Sequence, residues 1–125
     1  MITYKVKVSN GLTRWTLDGK LHREDGLAIE YVDGRKCWFI NGKRHREDGP
    51  AVVASFNSTK EWYIHDKLHR EDGPAIEYVD GRKSWYLNNK KYTEEEFNQK
   101  MNPQPVKMTM FELNKMLGYE VEITE

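Results

Sequence analysis

Three copies of one tetrapeptide, His22-Arg23-Glu24-Asp25, His45-Arg46-Glu47-Asp48 and His69-Arg70-Glu71-Asp72, form the one polar constellation that recurs along the 125 residues. An imidazole, a guanidinium and two carboxylates side by side can hold a metal, move protons or grip a charged partner. Spacing argues against the first. If each copy occupies two antiparallel strands, equivalent histidines stand about 10 Å apart, at roughly 4.8 Å per strand. Zinc holds nitrogen ligands at about 2.0–2.1 Å, so successive histidines cannot share an ion. A site within one copy matches no known ligand spacing, and no metal or cofactor is expected. Catalysis needs one asymmetric, desolvated site, whereas nothing singles out one of these copies. Gly-x-Ser-x-Gly, a phosphate-binding glycine loop and a dinucleotide fingerprint are absent, and the chain reads as a non-enzyme. Cys37, on an expected strand beside Trp38, reads as a buried structural thiol.

Binding remains. Arg23, Arg46 and Arg70 each follow a histidine (His22, His45, His69). A regular fold sets them in a row, where their forked heads suit carboxylate or phosphate. Tyr63 and Tyr86 add aromatic surface on the strands. The competing expectation is purely structural. Asp caps the backbone that follows, Gly26, Gly49 or Gly73 supplies a bend, and each Arg pairs with Glu24, Glu47 or Glu71.

These loops must be placed by a repeat. Trp15, Trp38, Trp62 and Trp85 are 23, 24 and 23 residues apart, and His22, His45, His69 and Tyr92 keep the same spacing. Residues 20–36 (KLHREDGLAIEYVDGRK) and 67–83 (KLHREDGPAIEYVDGRK) differ only at Leu27 and Pro74. The middle copy diverges in its second half, where Phe56-Asn57-Ser58-Thr59 brings one extra residue before Trp62. Each period reads as one β-hairpin: an alternating run such as Ala75–Val79, a turn at Asp80-Gly81, and a second run at Lys83–Leu87. Asn10-Gly11 and Asp33-Gly34 align with Asp80-Gly81 as equivalent turns. Hairpins near 3–17, 27–41, 51–65 and 75–88 then give a mainly β chain, one antiparallel meander of about eight strands. Period two puts the tryptophans on one face and Thr16, Phe39, Tyr63 and Tyr86 on the other. The tryptophans read as packing between repeats. The extra residue near Asn57-Ser58 should lengthen its own turn and leave the Trp register intact.

Composition changes after Lys91. Thr93-Glu94-Glu95-Glu96 and Thr109-Met110-Phe111-Glu112 both have capping-box form. They open two expected helices, the first with Phe97 and Met101 on one face and the second with Met110, Leu113 and Leu117. Gly118 suits the second C-cap, and Tyr119–Ile123 alternates like a last strand. The expected division is a hairpin array over 1–92 and a helical C-terminal cap over 93–125.

Twenty basic and twenty acidic residues leave no net charge, which removes the footprint of a nonspecific nucleic-acid binder. Mean hydropathy is −0.88 and no apolar run approaches a membrane span. One cysteine excludes an internal disulfide framework. A soluble, intracellular protein with a thin core is expected.

The phrase W-[YF]-[IL]-N-G-K-x-H-R-E-D-G-P-A-x-E-Y-x-D-G resembles the MORN-repeat variants, hairpin repeats of about this length. It looks most like a divergent group encoded by tailed bacteriophages, over about residues 3–92 and more loosely in the tail. The resemblance implies a scaffold or binder without catalysis, working in the cytoplasm of an infected bacterial cell. The resemblance further leads to the expectation of a compact viral accessory protein that blocks a host protein, such as a component of anti-phage defence. Two alternatives stand beside it: a sponge for a nucleotide immune signal, and an assembly scaffold. Self-association is compatible with each; a membrane is not an expected partner. His-Arg-Glu-Asp-Gly replaces the Gly-x-Gly spacing usual in MORN repeats, which sets this chain apart from the lipid-binding members.

Overall fold

The computed structural model describes residues 2–55, 59–103 and 109–118. Among the described residues fourteen short strands run in chain order. The first period holds β1 (Lys5–Ser9), β2 (Leu12–Leu17) and β3 (Lys20–Leu21); the second β4 (Ile29–Glu30), β5 (Lys36–Cys37), β6 (Phe39–Ile40) and β7 (Lys43–Arg44). The third holds β8 (Val52–Val53), β9 (Lys60–Glu61), β10 (Tyr63–Ile64) and β11 (Lys67–Leu68), and the last β12 (Ile76–Glu77), β13 (Lys83–Leu87) and β14 (Lys90–Tyr92). Helices α1 (Glu94–Met101) and α2 (Met110–Leu117) follow. Every pairing is antiparallel. One ten-stranded sheet runs β1-β2-β4-β5-β8-β9-β12-β13-β14, with β3 beside β2, and β6-β7 and β10-β11 form two small separate ladders. The chain is therefore mainly β, a meander of many short hairpin strands closed by helix. Among the described residues no helix is long and apolar enough to cross a membrane.

Each full period contains two hairpins, where the sequence suggests one. The connection after Ile40 is itself a tight hairpin, β6 to β7 around Asn41-Gly42, and its counterparts are β2-β3, β10-β11 and β13-β14. Their turns place both central residues at positive φ, 50° and 77° at Asn41-Gly42 and 49° and 68° at Asn88-Asn89. That is the geometry that matches strand twist and that Asn, Asp and Gly adopt at low cost. Asn10-Gly11 has it as well, at 51° and 79°. Asp33-Gly34 and Asp80-Gly81 differ: only the glycine is left-handed, and the Asp carboxylate accepts the N–H of Arg35 or Arg82 at 3.0 Å. These turns are wider than Asn10-Gly11, so the three are not equivalent.

Trp38 and Trp62 stand where the two kinds of hairpin meet, interrupting β5-β6 and β9-β10. The N–H of each donates to the next copy, Trp38 to Ala51 O at 2.7 Å and Trp62 to Ala75 O at 2.8 Å. The carbonyl of each accepts from its own histidine, His45 N at 3.1 Å and His69 N at 3.0 Å. One residue thus serves the main sheet with its donor and the small hairpin with its acceptor. Trp15 makes the same two bonds, to Ala28 and from His22.

The extra residue of the middle copy falls between Val53 and Lys60. Pairing on either side keeps the pattern of the other copies: Val52 faces Glu61 as Ile29 faces Cys37 and Ile76 faces Ser84. The insertion leaves the register on both sides unchanged; a one-residue slip would have turned the whole strand over. Residues Phe56–Ser58 themselves lie outside the described residues.

The core is thin. Ala28, Ala51 and Ala75 are fully buried where each copy meets its neighbour, joined by Ile29, Cys37, Tyr63, Ile76 and Leu87. Burial also pushes the Cys37 thiol up from its ordinary value, as expected for a structural cysteine. At the C-terminal end α1 packs against β13 and β14, with Phe97 4 % exposed. Thr93 closes a capping box with Glu96, and Thr109 repeats the device on α2 with Glu112. Gly118 caps α2 at φ 75°. Leu117 is 40 % exposed; the side chains of Met110 and Leu113 and the expected strand Tyr119–Ile123 lie outside the described residues. At the opposite end β1 is exposed along its whole length.

Candidate binding site: the His-Arg-Glu-Asp loops

Each of the three loops is built alike. The histidine ring reaches into the tight turn of the next copy, where Nδ1 accepts a backbone N–H: His22 from Asn41 at 2.8 Å, His45 from His65 at 3.0 Å, His69 from Asn88 at 3.0 Å. An Nδ1 that accepts leaves the ring hydrogen on Nε2. That nitrogen faces the following glutamate, at 3.6 Å for Glu24, 3.5 Å for Glu47 and 3.4 Å for Glu71. His22 Nε2 is buried without a hydrogen-bond partner in reach. Tyr4 stacks beside this ring at 6.2 Å between centroids.

The arginine is held on three sides. Its backbone N–H donates to the next copy, Arg23 to Phe39 O, Arg46 to Tyr63 O and Arg70 to Tyr86 O. Its guanidinium lies 3.8–3.9 Å from the ring centre of Trp15, Trp38 or Trp62. Nε donates to the aspartate two residues on, at 3.1 Å for Asp25 and 2.9 Å for Asp48 and Asp72. Nη1 donates to the carbonyl of Leu27, Pro50 or Pro74 at 3.1–3.3 Å. In the third loop Nη1 also reaches Glu77 at 3.2 Å. The Arg46 guanidinium holds the Asp48 carboxyl below its ordinary range.

The glycine of each loop serves this arginine. Gly26, Gly49 and Gly73 lie outside the left-handed region, so they are not bends in the sense the sequence suggests. A Cβ on any of them would come within 2.9–3.1 Å of Arg Cζ. The absence of a Cβ leaves room for the guanidinium between the glycine backbone and the indole. The arginine partner is also Asp, with Glu turned to His, where the sequence pairs Arg with Glu.

The expected binding residues therefore divide. His22, His45, His69, Arg23, Arg46 and Arg70 do come together in a row of equivalent loops, yet their polar atoms are largely spent inside the fold. Tyr63 is 7 % exposed and its ring lies 4.0 Å beneath the Arg44 guanidinium, which is paired with Asp66. Burial, with Glu61 nearby, pushes its hydroxyl up. It offers no open face for stacking. Tyr86 is half-buried, with its carbonyl engaged by Arg70.

What faces outward is acidic. The side chains of Glu24, Glu47 and Glu71 are 68–83 % exposed, and those of Asp25, Asp48 and Asp72 are 82–88 % exposed. Between successive loops lie two open clefts. The first, about 890 Å³, runs between Arg23–Leu27 and His45–Asp48 over a floor of Trp38 and Ile40. The second, about 810 Å³, runs between Arg46–Pro50 and His69–Asp72 over Trp62 and Ile64. The sequence hides them because their walls come from loops one period apart. Their one signal is that Ile40 and Ile64 follow a tryptophan by two residues. A smaller hollow of about 390 Å³ at the last copy is bordered by Lys83, Trp85, Lys91 and Tyr92. Among the described residues no cluster of His, Cys, Asp or Glu is arranged to hold a metal ion.

Comparison of the chain with protein-family models, with curated proteins and with solved structures gave no match.

Proposed function

We propose that the chain is a non-catalytic binding protein, a MORN-like array of about four 23-residue units that docks on a host protein and blocks it. The phage setting, the bacterial cytoplasm and the counter-defence role come from the sequence resemblance. One observation carries the binding reading: two clefts of nearly equal size recur between successive loops, on supports held by the same Trp-Arg-Asp unit. Sites on rigid supports cost little ordering on binding, which favours affinity. The array presents exposed carboxylates and an apolar floor at regular intervals, a surface suited to a macromolecule. Sequestration of a nucleotide has less support. Nε and Nη1 of all three arginines are engaged internally, and a phosphate would meet six outward carboxylates.

The test is capture from phage-infected bacteria with tagged wild-type chain and with a Glu24→Lys, Glu47→Lys, Glu71→Lys variant. Loss of a specific partner with the fold intact supports the loops as the docking surface. Equal recovery by both proteins places binding elsewhere. A cyclic-nucleotide panel in calorimetry, giving stoichiometric binding, would replace this reading with the sponge.

A further inference from the structure

We infer that the two clefts receive lysine or arginine side chains from one extended basic segment of the partner, one per cleft, at positions three residues apart. This rests on the loops being the docking surface and adds the chemistry of what they dock.

Charge is the first ground. Each cleft is walled by four carboxylates against two arginines, and no lysine lines either one, in a chain with no net charge. The arginines answer to Asp25, Asp48 and Asp72, which leaves Glu24, Glu47 and Glu71 as exposed acceptors. In neutral form the histidines bring a donor to these glutamates and no formal charge.

The floor is the second ground. Trp38 with Ile40, and Trp62 with Ile64, give each cleft an apolar base beneath an acidic rim. Lysine and arginine fit that profile: the methylene stem lies on apolar surface while the charged head reaches the rim. An acidic or phosphorylated ligand would put like charge on the rim, and a purely apolar one would leave the carboxylates unanswered.

Spacing is the third. Equivalent points of successive copies are separated by two strands, about 10 Å. A chain in the polyproline II conformation has three residues per turn and a rise of about 3.1 Å, so residues i and i+3 project from one side about 9.3 Å apart. A β-strand puts i and i+3 on opposite sides. The array therefore selects a basic segment in the polyproline II conformation, with cations at every third position.

Fluorescence anisotropy tests this with a labelled nine-residue peptide carrying arginine at positions 1, 4 and 7 in a proline-alanine background. Two controls carry glutamate at those positions, or the three arginines in a row. The wild-type chain should bind the spaced arginine peptide, with affinity falling as salt rises from 0.05 to about 0.5 M, and should ignore the glutamate peptide. Glu24→Gln, Glu47→Gln and Glu71→Gln together should weaken binding about tenfold, whereas Glu30→Gln on β4 should leave it unchanged. Unaltered affinity in the triple variant, or binding of the glutamate peptide, overturns the inference. Equal binding of the contiguous peptide overturns its one-per-cleft register. The salt response of the wild-type chain stands independently of any variant's folding. A wild-type chain that captures its partner from infected cells but ignores the arginine peptide refutes this inference alone. Peptide binding with no captured partner refutes the docking reading alone.

Discussion

The first three loops and the fourth occupy the same place in the repeat and do different things. At His22, His45 and His69 the ring accepts an N–H from the copy that follows, and the next residue's N–H donates to a carbonyl of that copy. At the fourth place the residues are Tyr92 and Thr93, and no further copy exists to supply either partner. Tyr92 still faces Trp85 across β13 and β14. Thr93 turns its hydroxyl to Glu96 N at 3.1 Å and starts α1. Histidine and arginine are thus the residues of a junction, and threonine is the residue of an end. The loop sequence is a response to having a neighbour. The lining charge differs as well: four carboxylates and no lysine in each of the two clefts, against Lys83, Lys91 and one carboxylate, Glu96, at the last hollow.

The terminal region offers the largest effect. Phe97 is the buried residue of α1, and Phe97→Ala should cost about 3–5 kcal/mol, a large share of what a small domain has. Urea unfolding should show a sharply lowered midpoint. A change under 1 kcal/mol would mean that α1 is an appendage, and the junction-versus-end contrast would lose its second half.

The junctions are expected to be sensitive in a particular way. Gly49→Ala drives a methyl against the Arg46 guanidinium and should lift it from Trp38, costing about 1–2 kcal/mol in lost stacking and hydrogen bonding. In an Arg46→Ala background the same glycine change should cost almost nothing. Additive losses in that double-mutant cycle would show that Gly49 serves the backbone and not the arginine.

A smaller difference separates His45 from Tyr92. His45→Ala leaves the His65 N–H without its acceptor, at about 1 kcal/mol, whereas Tyr92→Phe removes no bond between copies. Thermal melts of the two variants should differ accordingly, and equal shifts would erase the distinction.

The smallest effect concerns acid. Asp48 and Asp66 are held below their ordinary range, Asp48 by Arg46 and Asp66 chiefly by the hydrogen bond from Arg44. A depressed folded-state value means stability that is fully present above the unfolded value, near 3.8, and is lost as pH falls through the lower folded value. Asp48→Asn should flatten the pH dependence of stability in that window and change little at pH 7. An unchanged acid limb would mean that the Arg46 contact does not persist in solution.

Much of this was legible in the residues. The Trp spacing marked the period, the insertion before Trp62 left the register on either side intact, and the capping box at Thr93 marked the first helix. The second hairpin of each period was not. Its return strand, such as Lys43–Arg44, is two residues long and carries no alternation to read. Nor was the histidine's partner, which lies 19 or 20 residues downstream and is a backbone group that any residue supplies. The glycines misled because Gly more often signals a positive φ than a cation lying on it. Arg pairing with Asp in place of Glu depends on which carboxylate the loop brings alongside the guanidinium, a matter of one residue. The clefts were beyond reach, since their walls belong to different copies.

Because each loop is completed by the copy after it, the array has polarity. Each loop histidine looks forward to the copy after it, β1 is exposed along its whole length, and α1 packs on the last two strands. A whole period inserted between two others would meet, on both sides, the donors and acceptors it needs. The near-identical stretches 20–36 and 67–83 are what such a modular tract looks like when copies have been added or kept in phase. The same logic gives the acidic ridge a reach that can be lengthened one cleft at a time, about 10 Å per unit, without redesigning any contact.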